Sequence, residues 1–404
     1  IVRLFDGGEL QDDIMRLLLL NMRLPAERKG DLNAQIAAAK LGNQRIGEFI
    51  ETHGADYTVR LFDEIVTRTN RRMRAAIGKL PNGSFSFSDV MDDDGAGTED
   101  ILITLKITKS GHDIFFDFTG SDDQVLGNIN LTFNATQSAV CYALKALLDP
   151  EVPNNQGIFD AIRIEAPLGS FVNCVSPAPV AMRANTCQRV VDVVIGALAE
   201  ALPDQVIGAA NGANTSAVFS GIDPRNSQQY VYLETLGGGM GARATKDGKD
   251  GVQVNITNTS NLPVEAIEME YPLRIEDYAL IADSGGAGKH RGGMGIRRSI
   301  RPVGHICEFN GVGERFRNQP WGIFGGQPGA AGTFEMVDFK GNTTSLSSKA
   351  SRVKLSPDAR VVISTPGAGG YGAPEDRASK ALAEDQASGK FTKGFLASNY
   401  ARKD

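Results

Sequence analysis

Residues 99–120 read EDILITLKITKSGHDIFFDFTG, and apolar side chains take every second position on both sides of Ser110-Gly111. Successive side chains of a β-strand point to opposite faces, so this alternation predicts two strands, each with one buried face. The apolar positions are Ile101, Ile103, Leu105, Ile107, Ile114, Phe116 and Phe118. Because the Ser-Gly pair is typical of a tight turn, the stretch predicts an antiparallel hairpin.

The residues before this hairpin predict helices instead. Apolar side chains recur at helical spacing in three segments that begin near Asp12, Asp31 and Asp56. Short connections separate the segments. We therefore predict a helical region over residues 1–80, which ends at the turn signal Pro81-Asn82-Gly83.

The chain after the hairpin predicts a sheet with long loops. Glycines concentrate beyond residue 200, and short runs such as 230–233, 252–256 and 360–364 are rich in β-branched or aromatic residues. Helices are predicted at 137–148 and 188–202. The fold class is therefore α+β: an N-terminal helical layer joined to a larger mixed, mostly antiparallel sheet region with a few helices.

Glycine content also suggests how the chain is divided. A glycine-rich α+β region is predicted over residues 81–375. After that point the composition turns to Ala, Lys, Glu and Asp, which is typical of a surface helix or tail at 376–404.

The overall composition is that of an ordinary globular protein. The 404 residues are 41% hydrophobic and 22% charged, and 42 basic against 48 acidic side chains give a formal net charge of -6. Basic residues are spread along the chain, without the stripe that binds nucleic acid phosphates. The apolar stretches fall far short of the ~20 residues that a membrane span needs. We expect no nucleic acid and no membrane as partner.

The cysteines and the first residues favour a reduced, cytoplasmic protein. The four cysteines lie far apart and form no Cys-x-x-Cys pair. The sequence starts at Ile1 rather than Met, and the following residues have neither the basic start nor the apolar core of a secretion signal. We therefore expect a fragment or a trimmed form of a cytoplasmic protein.

Two glycine-rich segments are candidates for phosphate binding. In Leu236–Arg243, consecutive glycines could form an anion nest with Arg243 beside it, or could allow two backbones to approach closely; both interpretations stay open. In Asp283–Gly293, a phosphate loop would need a glycine at Asp283 and a Ser or Thr at His290. The second segment therefore does not predict a nucleotide site.

Three polar or acidic segments remain. The run at 91–95 is interpreted as a solvated turn, because it lacks the spacing of a calcium loop. Residues 183–189 precede an apolar helix, and residues 255–261 precede Pro263 and an acidic run. Both polar segments have two interpretations: capping and turn chemistry, or a pocket lined by amides and hydroxyls around a small carbonyl compound. The four scattered histidines give no metal spacing.

Several of these segments belong to motifs that occur in a fixed order along the chain. They are Asp92-Asp93-Asp94-Gly95, Phe116-Asp117-Phe118-Thr119-Gly120-Ser121, Gln188-Arg189-Val190-Val191-Asp192, Glu234-Thr235-Leu236-Gly237-Gly238-Gly239-Met240-Gly241, Thr257-Asn258-Thr259, Tyr271-Pro272-Leu273-Arg274, Asp283-Ser284-Gly285-Gly286-Ala287-Gly288, Pro320-Trp321-Gly322 and Thr365-Pro366-Gly367-Ala368-Gly369-Gly370-Tyr371-Gly372. Up to about residue 375 the chain closely resembles the hydantoinase B/oxoprolinase family.

This resemblance implies a B-type subunit that works beside an ATP-using partner of the hydantoinase A type in a hetero-oligomer. In the family, the partner phosphorylates a carbonyl oxygen, and the B-type subunit helps to deliver water to the activated carbon. The implied function is an ATP-dependent cyclic-amide hydrolase that opens a lactam or hydantoin ring. The alternatives are a subunit of an ATP-dependent ketone carboxylase, acting on acetone or acetophenone, and a non-catalytic structural subunit.

The resemblance also implies a divalent metal in the complete protein. Family members usually carry an N-terminal region rich in Gly, His and Asp that supplies the metal ligands, and we expect this sequence to begin after that region. No residue of this chain is therefore assigned as a metal ligand.

Residues that match the family motifs are the expected site residues. The expected catalytic residues are Asn185, Gln188, Arg189 and Glu234. The expected substrate-binding or anion-binding residues are Gly237, Gly238, Gly239, Gly241, Arg243, Thr257, Asn258 and Glu265. The resemblance assigns no proton-transfer role to any single one of them.

Overall fold

The computed structural model describes residues 2–400. The chain forms two compact units, Ile1–Arg68 and Thr69–Asp404. The division falls inside a helix, whereas the sequence pattern placed the end of the helical region at residue 80. No helix within 2–400 is both long and apolar enough to span a membrane.

The first unit is mainly helical. Its elements are β1 (Phe5–Asp6), β2 (Glu9–Leu10), α1 (Asp12–Leu20), α2 (Pro25–His53) and the first part of α3 (Ala55–Ile77). Proline fits the first position of α2, because the N–H that it lacks would have no partner inside the helix. The prediction that this helix begins near Asp31 is therefore wrong, since Asp31 lies inside α2. Gly54, with φ +81°, follows its last residue.

The second unit begins with a four-stranded sheet covered by helices. The strands are β3 (Gly83–Asp93), β4 (Glu99–Ser110), β5 (Asp113–Asp117) and β6 (Arg163–Glu165), in that spatial order. The hairpin predicted from residues 99–120 is confirmed: β4 and β5 are antiparallel and Ile107 lies opposite Phe116. The other pairs are β3 with β4, antiparallel, and β5 with β6, parallel.

Three helices accompany this sheet: α4 (Phe133–Leu148), α5 (Gln156–Phe159) and α6 (Arg183–Ala197). α6 packs against β3 and β4, and α4 packs against α6. The interior between them is apolar and includes the fully buried Phe116, Val190 and Val194. Burial of this interior is what fixes α6, and with it the polar residues of its first turns, above the sheet.

Two antiparallel sheets form the glycine-rich half. One has the order β14 (Val353–Leu355), β11 (Cys307–Val312), β7 (Thr215–Ile222), β8 (Gln229–Leu236); the other has β13 (Thr343–Leu346), β12 (Thr333–Val337), β15 (Arg360–Ser364), β10 (Ile296–Pro302), β9 (Leu273–Leu280). A short helix, α7 (Val264–Glu270), precedes β9. The rings of Phe309 and Phe334, one from each sheet, meet edge to face with centroids 5.7 Å apart. The α+β fold class is confirmed.

Four glycine-rich loops, at 237–241, 285–293, 325–329 and 366–372, contact one another through their main chains. We call them the glycine cluster. The amide of Gly286 donates to Ala368 at 2.8 Å, and the amide of Gly370 donates to Gln327 at 2.9 Å. A Cβ atom at Gly239 would overlap the carbonyl oxygen of Gly293, so this position has no room for a side chain.

The last described residues do not form a loose tail. After a short 3-10 turn they form α8 (Ser379–Ala387) and α9 (Lys393–Asn399). Asp385 is buried and accepts hydrogen bonds from Arg291 at 3.0 Å and from Arg377 at 2.6 Å. Phe391 and Tyr400 are also buried, against Ala287 and neighbours. These contacts fix the helices to the loop that precedes β10, which the prediction of a surface helix or tail did not foresee.

Candidate functional site

The first turns of α6 bring two of the predicted catalytic residues onto one face. Asn185 and Gln188 are three residues apart in the helix, so their side chains are neighbours, and both are fully buried. The sequence pattern placed residues 183–189 before the helix and began the helix at 188. That prediction is wrong, because α6 begins at Arg183.

A chain of hydrogen bonds joins these two side chains to the segment that follows the glycine loop. Gln188 Nε2 donates to Thr257 Oγ1 and to the Val254 carbonyl, both at 3.0 Å. Thr257 Oγ1 donates to the side-chain oxygen Oδ1 of Asn214 at 2.6 Å. The backbone N–H of Asn214 donates to Asn185 Oδ1 at 2.7 Å. We call Asn185, Gln188, Asn214 and Thr257 the amide network. The segment predicted as a strand at 252–256 is a loop, which lets it reach α6.

Polar atoms in and beside the amide network lack partners. Within residues 2–400, the buried atoms Asn185 Nδ2, Gln188 Oε1, Asn255 Nδ2 and Arg243 Nε make no hydrogen bond. An unpaired buried polar atom costs about 1–3 kcal/mol, so native proteins pair such atoms with water or a ligand. Asn255 and Arg243 line a cavity, so their two donors are available to a bound polar group, whereas Asn185 and Gln188 do not line it.

A cavity of about 410 Å³ lies beside the amide network; we call it the polar cavity. Its lining includes Leu147, Ile195, Ile207, Arg243, Asn255 and Thr257. Among the lining residues, all within the described chain, Arg243 alone carries a charge. The cavity thus combines an aliphatic wall with a positive charge and amide groups, an arrangement that suits a small ligand with an electron-rich oxygen.

Arg189 follows Gln188 in the chain but lies in a different environment. Arg189 Nη1 donates to Asp89 Oδ1 at 3.2 Å, and Nη2 lies 3.7 Å from Glu314 Oε2. Arg315 Nη2 donates to both Asp89 and Asp192 at 2.8 Å. Including Lys349, which donates to Glu314 at 2.7 Å, this ion cluster consists of Asp89, Arg189, Asp192, Glu314, Arg315 and Lys349.

The electrostatics of the ion cluster are those of compensated buried charges. Burial alone would raise the pKa of Asp89, but the guanidinium groups of Arg189 and Arg315 outweigh it and lower that pKa to about 2. Burial dominates at Glu314 and raises its pKa. Arg189 and Glu314 are buried completely and are held by opposite charges, while Arg189 Nε and Nη2 make no hydrogen bond within residues 2–400. The charge pairing favours a structural role for the cluster.

Glu234, the fourth predicted catalytic residue, is also paired. Tyr232 donates to its Oε2 at 2.7 Å, and its Oε1 accepts a hydrogen bond from the buried Arg298. The guanidinium of Arg298 also lies over the ring of Tyr278, 4.3 Å from the centroid. In the described structure none of these contacts links Glu234 to the amide network, so its geometry indicates a role in holding β8 to β10.

The loop at 237–241 does not form the anion nest that was one of its two interpretations. The amides of Gly238, Gly239, Met240 and Ala242 donate to carbonyls of Val252, Pro366, Lys249 and Gly369 at 2.9–3.1 Å. Since these four donors are taken, they are not available to an anion. A Cβ atom at Gly237 or Gly241 would overlap backbone atoms of Val252 or Gly208, so the loop is the close backbone connection of the second interpretation.

Comparison with known proteins agrees with the motifs in the sequence. A family model described as Hydantoinase B/oxoprolinase matches residues 1–374. The chain belongs to the hydantoinase B/oxoprolinase family. The family resemblance seen in the sequence is therefore confirmed.

Relatives of this hydantoinase B/oxoprolinase chain are longer than it is. A B-type chain named "Putative D-/L-hydantoinase", from Pseudomonas sp. (strain NS671), is 34% identical over 406 residues, which cover 97% of this chain and 68% of that protein. The 5-oxoprolinase 1 of Arabidopsis thaliana is 31% identical over 370 residues, which cover 87% of this chain and 28% of that protein. The crystal structure of ATP-dependent caprolactamase from Pseudomonas jessenii superposes with a TM-score of 0.91 at 27% identity. The superposition covers 99% of this chain and 70% of the caprolactamase chain. The chain thus spans about two thirds of the hydantoinase chain and less than a third of the 5-oxoprolinase.

In this hydantoinase B/oxoprolinase chain the predicted residues are divided among several places. Asn185, Gln188 and Thr257 meet in the amide network, and Arg243 lines the polar cavity. Asn258 and Glu265 are exposed at the surface. Sequence reasoning missed Asn214, since a single asparagine in a loop is an ordinary turn residue and gives no signal of its own. Asn255 belongs to the polar segment for which a pocket was one of two interpretations, but it was not singled out as a site residue.

The acidic run at 91–95 is not the solvated turn that was predicted. Asp92 is fully buried, and its carboxylate accepts hydrogen bonds from the amides of Phe316, Arg317 and Asn318 at 2.6–3.2 Å. Asp94 is buried too and accepts from the Gly127 amide at 3.0 Å. These carboxylates close loops by binding backbone donors, a pattern that needs residues far apart in sequence and so was not visible there.

The divalent metal that the family resemblance implies is expected to have its ligands outside this sequence, and it stays a prediction for the complete protein. Nowhere within 2–400 do three His, Cys, Asp or Glu side chains gather around a point that could hold a metal ion. The acidic side chains of the ion cluster are instead neutralised by arginine and lysine.

Proposed function

We propose that this chain provides part of the substrate site of an ATP-dependent cyclic-amide hydrolase, which opens a lactam or hydantoin ring after a partner subunit has activated the ring carbonyl with ATP. The observation that carries the proposal is the polar cavity beside the amide network. It holds one cationic side chain, unpaired amide atoms close by and an aliphatic wall.

The chemistry of a cyclic amide matches this arrangement. Such a ring presents a carbonyl acceptor, an N–H donor and methylene groups. Arg243 and Asn255 line the cavity and supply donors for the carbonyl oxygen. Gln188, whose Oε1 is an acceptor without a partner in residues 2–400, does not line the cavity itself but donates to the lining residue Thr257. Leu147 and Ile195 supply apolar surface for the methylene groups. A volume of about 410 Å³ lies within the range of about 300–1,000 Å³ that is usual for ligand pockets.

The proposed reaction needs charge stabilisation at the carbonyl oxygen. In net terms, one water adds to the carbonyl carbon, the ring C–N bond breaks and the nitrogen takes a proton, while ATP hydrolysis consumes a second water. Phosphorylation places a negatively charged phosphoryl group on the carbonyl oxygen, and this group stays there when water adds to the carbon. The guanidinium of Arg243, in a cavity with a partly apolar lining, would stabilise this charge.

The relatives support the same substrate class and the need for a partner. The names of the three proteins described above refer to hydantoin, 5-oxoproline and caprolactam, all of which contain a ring amide. The name of the hydantoinase relative marks it as the B-type component of an enzyme with more than one kind of chain. We infer a hetero-oligomer with an ATP-using subunit of the hydantoinase A type.

The test is substrate-dependent ADP release by the complete protein in complex with its partner subunit. Hydantoin, 5-oxoproline, caprolactam, and acetone with bicarbonate would be offered in turn. ADP release together with a ring-opened amino acid, identified by mass spectrometry, is the expected result with at least one ring amide. Release only with acetone and bicarbonate would replace this proposal by the ketone carboxylase alternative. No release with any substrate would favour a non-catalytic subunit.

A further inference from the structure

A second cavity adjoins the polar cavity along α4 and lies between α4 and α5. It measures about 610 Å³, and we call it the apolar cavity. Cys141 and Ile158 are buried beneath it, and Pro150 and Phe159 contribute to its lining. Within the described chain, none of its lining residues carries an unpaired buried polar atom. Its one formally charged side chain, Lys145, donates to Asn154 at 2.8 Å.

The two cavities share Tyr142 and Ala146. These residues are four apart in α4, so they lie one above the other on the same helix face and form a ridge between the cavities. Ala146 has only a methyl group, so the ridge is low at that point. A ligand in the polar cavity can therefore extend over Ala146 without displacing a large side chain.

Tyr142 is placed to influence what crosses this ridge. Its ring lines both cavities, and its side chain is partly exposed. The Tyr142 hydroxyl has no hydrogen-bond partner within residues 2–400, although tyrosine hydroxyls in partly buried positions usually have one. No such bond fixes the ring, so it can adjust to a neighbouring group.

We propose that the cyclic-amide substrate carries an apolar substituent, which passes over Ala146 into the apolar cavity, and that Tyr142 is a specificity-determining residue for this substituent. This inference rests on the proposed function. The amide ring occupies the polar cavity, where the unpaired donors are, and the substituent occupies the cavity that offers apolar surface and asks for no hydrogen bonds. An aromatic or branched aliphatic group of about the size of a benzyl group is the chemical class that fits.

The experiment compares two ring amides in the complete complex, unsubstituted hydantoin and 5-benzylhydantoin. The quantity measured is kcat/KM for 5-benzylhydantoin divided by kcat/KM for hydantoin. Ser138 lines only the apolar cavity and is exposed on α4, so Ser138→Trp should fill this cavity without disturbing the core. We expect this ratio to fall about tenfold in Ser138→Trp, because kcat/KM for 5-benzylhydantoin falls while kcat/KM for hydantoin is unchanged. Asn134→Trp, which introduces the same side chain at an exposed position of the same helix outside both cavities, is the control and should leave the ratio unchanged.

A second variant probes the ridge itself. Ala146→Leu should lower the ratio in the same direction, because a larger side chain blocks the passage between the cavities. Circular dichroism would verify that each variant is folded. Equal ratios in wild type, Ser138→Trp and Ala146→Leu would overturn this inference while ring opening itself persists. If the wild-type complex opens no ring amide, the proposed function fails and this inference fails with it, so the two failures are distinguishable.

Discussion

Gln188 and Arg189 are adjacent in the chain, yet they belong to two different buried networks. Gln188 is part of the neutral amide network, where amide atoms lack partners and a cavity lies alongside. Arg189 is part of the ion cluster, where acidic and basic side chains balance one another in the interior. The difference shows that burial alone does not identify a functional residue. Both networks contain buried polar atoms that make no hydrogen bond within residues 2–400, including Arg189 Nε and Nη2. The networks differ because Arg189 lies beside carboxylates that balance its charge, whereas the neutral amide network lies beside the polar cavity.

The largest effect should come from removing a charge from the ion cluster. Arg189→Met leaves the carboxylates of Asp89 and Glu314 with less compensation, and breaking a buried pair in this way costs about 3–5 kcal/mol of unfolding free energy. Urea unfolding followed by circular dichroism would measure it. Arg163→Met, which removes an exposed arginine 3.8 Å from Glu165, is the control and should change stability by less than about 0.5 kcal/mol. If Arg189→Met and Arg163→Met lowered the unfolding free energy by similar amounts, the ion cluster would not be the stabilising feature that separates it from the amide network.

The polar cavity should show the opposite behaviour, with a loss of activity and little loss of stability. Arg243→Met keeps an aliphatic side chain in the cavity but removes its one charged group. We expect kcat/KM for the best ring amide to fall about a hundredfold, since the cation that stabilises the negative charge of the phosphorylated carbonyl group is lost. The unfolding free energy should change by less than about 1 kcal/mol. Lys246→Met, at an exposed position three residues away, should leave both quantities unchanged.

Acid should weaken the ion cluster before the amide network, which has no titratable group. The pKa of Asp89 is lowered to about 2 in the folded chain, from an ordinary value of 3.8. A lowered carboxyl pKa gives stability that is present above the ordinary pKa and is lost as the pH falls through the folded value. Between about pH 5 and pH 2, wild type should lose about 2 kcal/mol more than Asp89→Asn. Unfolding free energies measured across that range would check this, and parallel curves for the two proteins would contradict it.

The smallest effect concerns a single hydroxyl in the amide network. Thr257→Val keeps the shape of the side chain but removes the group that accepts from Gln188 and donates to Asn214. We expect a loss of about 1 kcal/mol in unfolding free energy and a fall of about tenfold in kcat/KM, because Gln188 is no longer held in place. Thr245→Val, at an exposed position, is the matched control. An unchanged kcat/KM would show that the network is structural, like the ion cluster.

Local patterns in the sequence were enough for most of the fold. The period-two alternation of residues 99–120 gave the hairpin and its buried face, and helical spacing gave α1, α3 and α4. Element ends were less certain: α2 begins at Pro25, and α6 includes residues assigned to a preceding loop. The stretch at 252–256 has the composition of a strand, but its backbone is held by the glycine cluster and by α6 instead.

The candidate site was predictable only where its members are marked by local composition. Asn185, Gln188 and Thr257 stand in polar runs, and Arg243 ends a glycine run. The predicted residues that lie away from the polar cavity have partners far away in the chain: Arg189 pairs with Asp89, 100 residues earlier, and Glu234 pairs with Arg298, 64 residues later. An ionic side chain in a single sequence does not reveal whether such a partner exists, so a structural pair and a reactive group look alike there.

The glycine cluster has a consequence for the order in which the molecule folds. Its four loops come from distant parts of the second unit, and each finds its hydrogen-bond partners on the main chain of another loop. No loop can therefore be completed alone, and local sequence gives none of them a stable starting shape. Closing such long-range contacts is slow compared with forming helices or hairpins. We expect this region to be assembled late and as one step, after the sheet beneath α6 has formed, so that the polar cavity exists only in fully folded molecules.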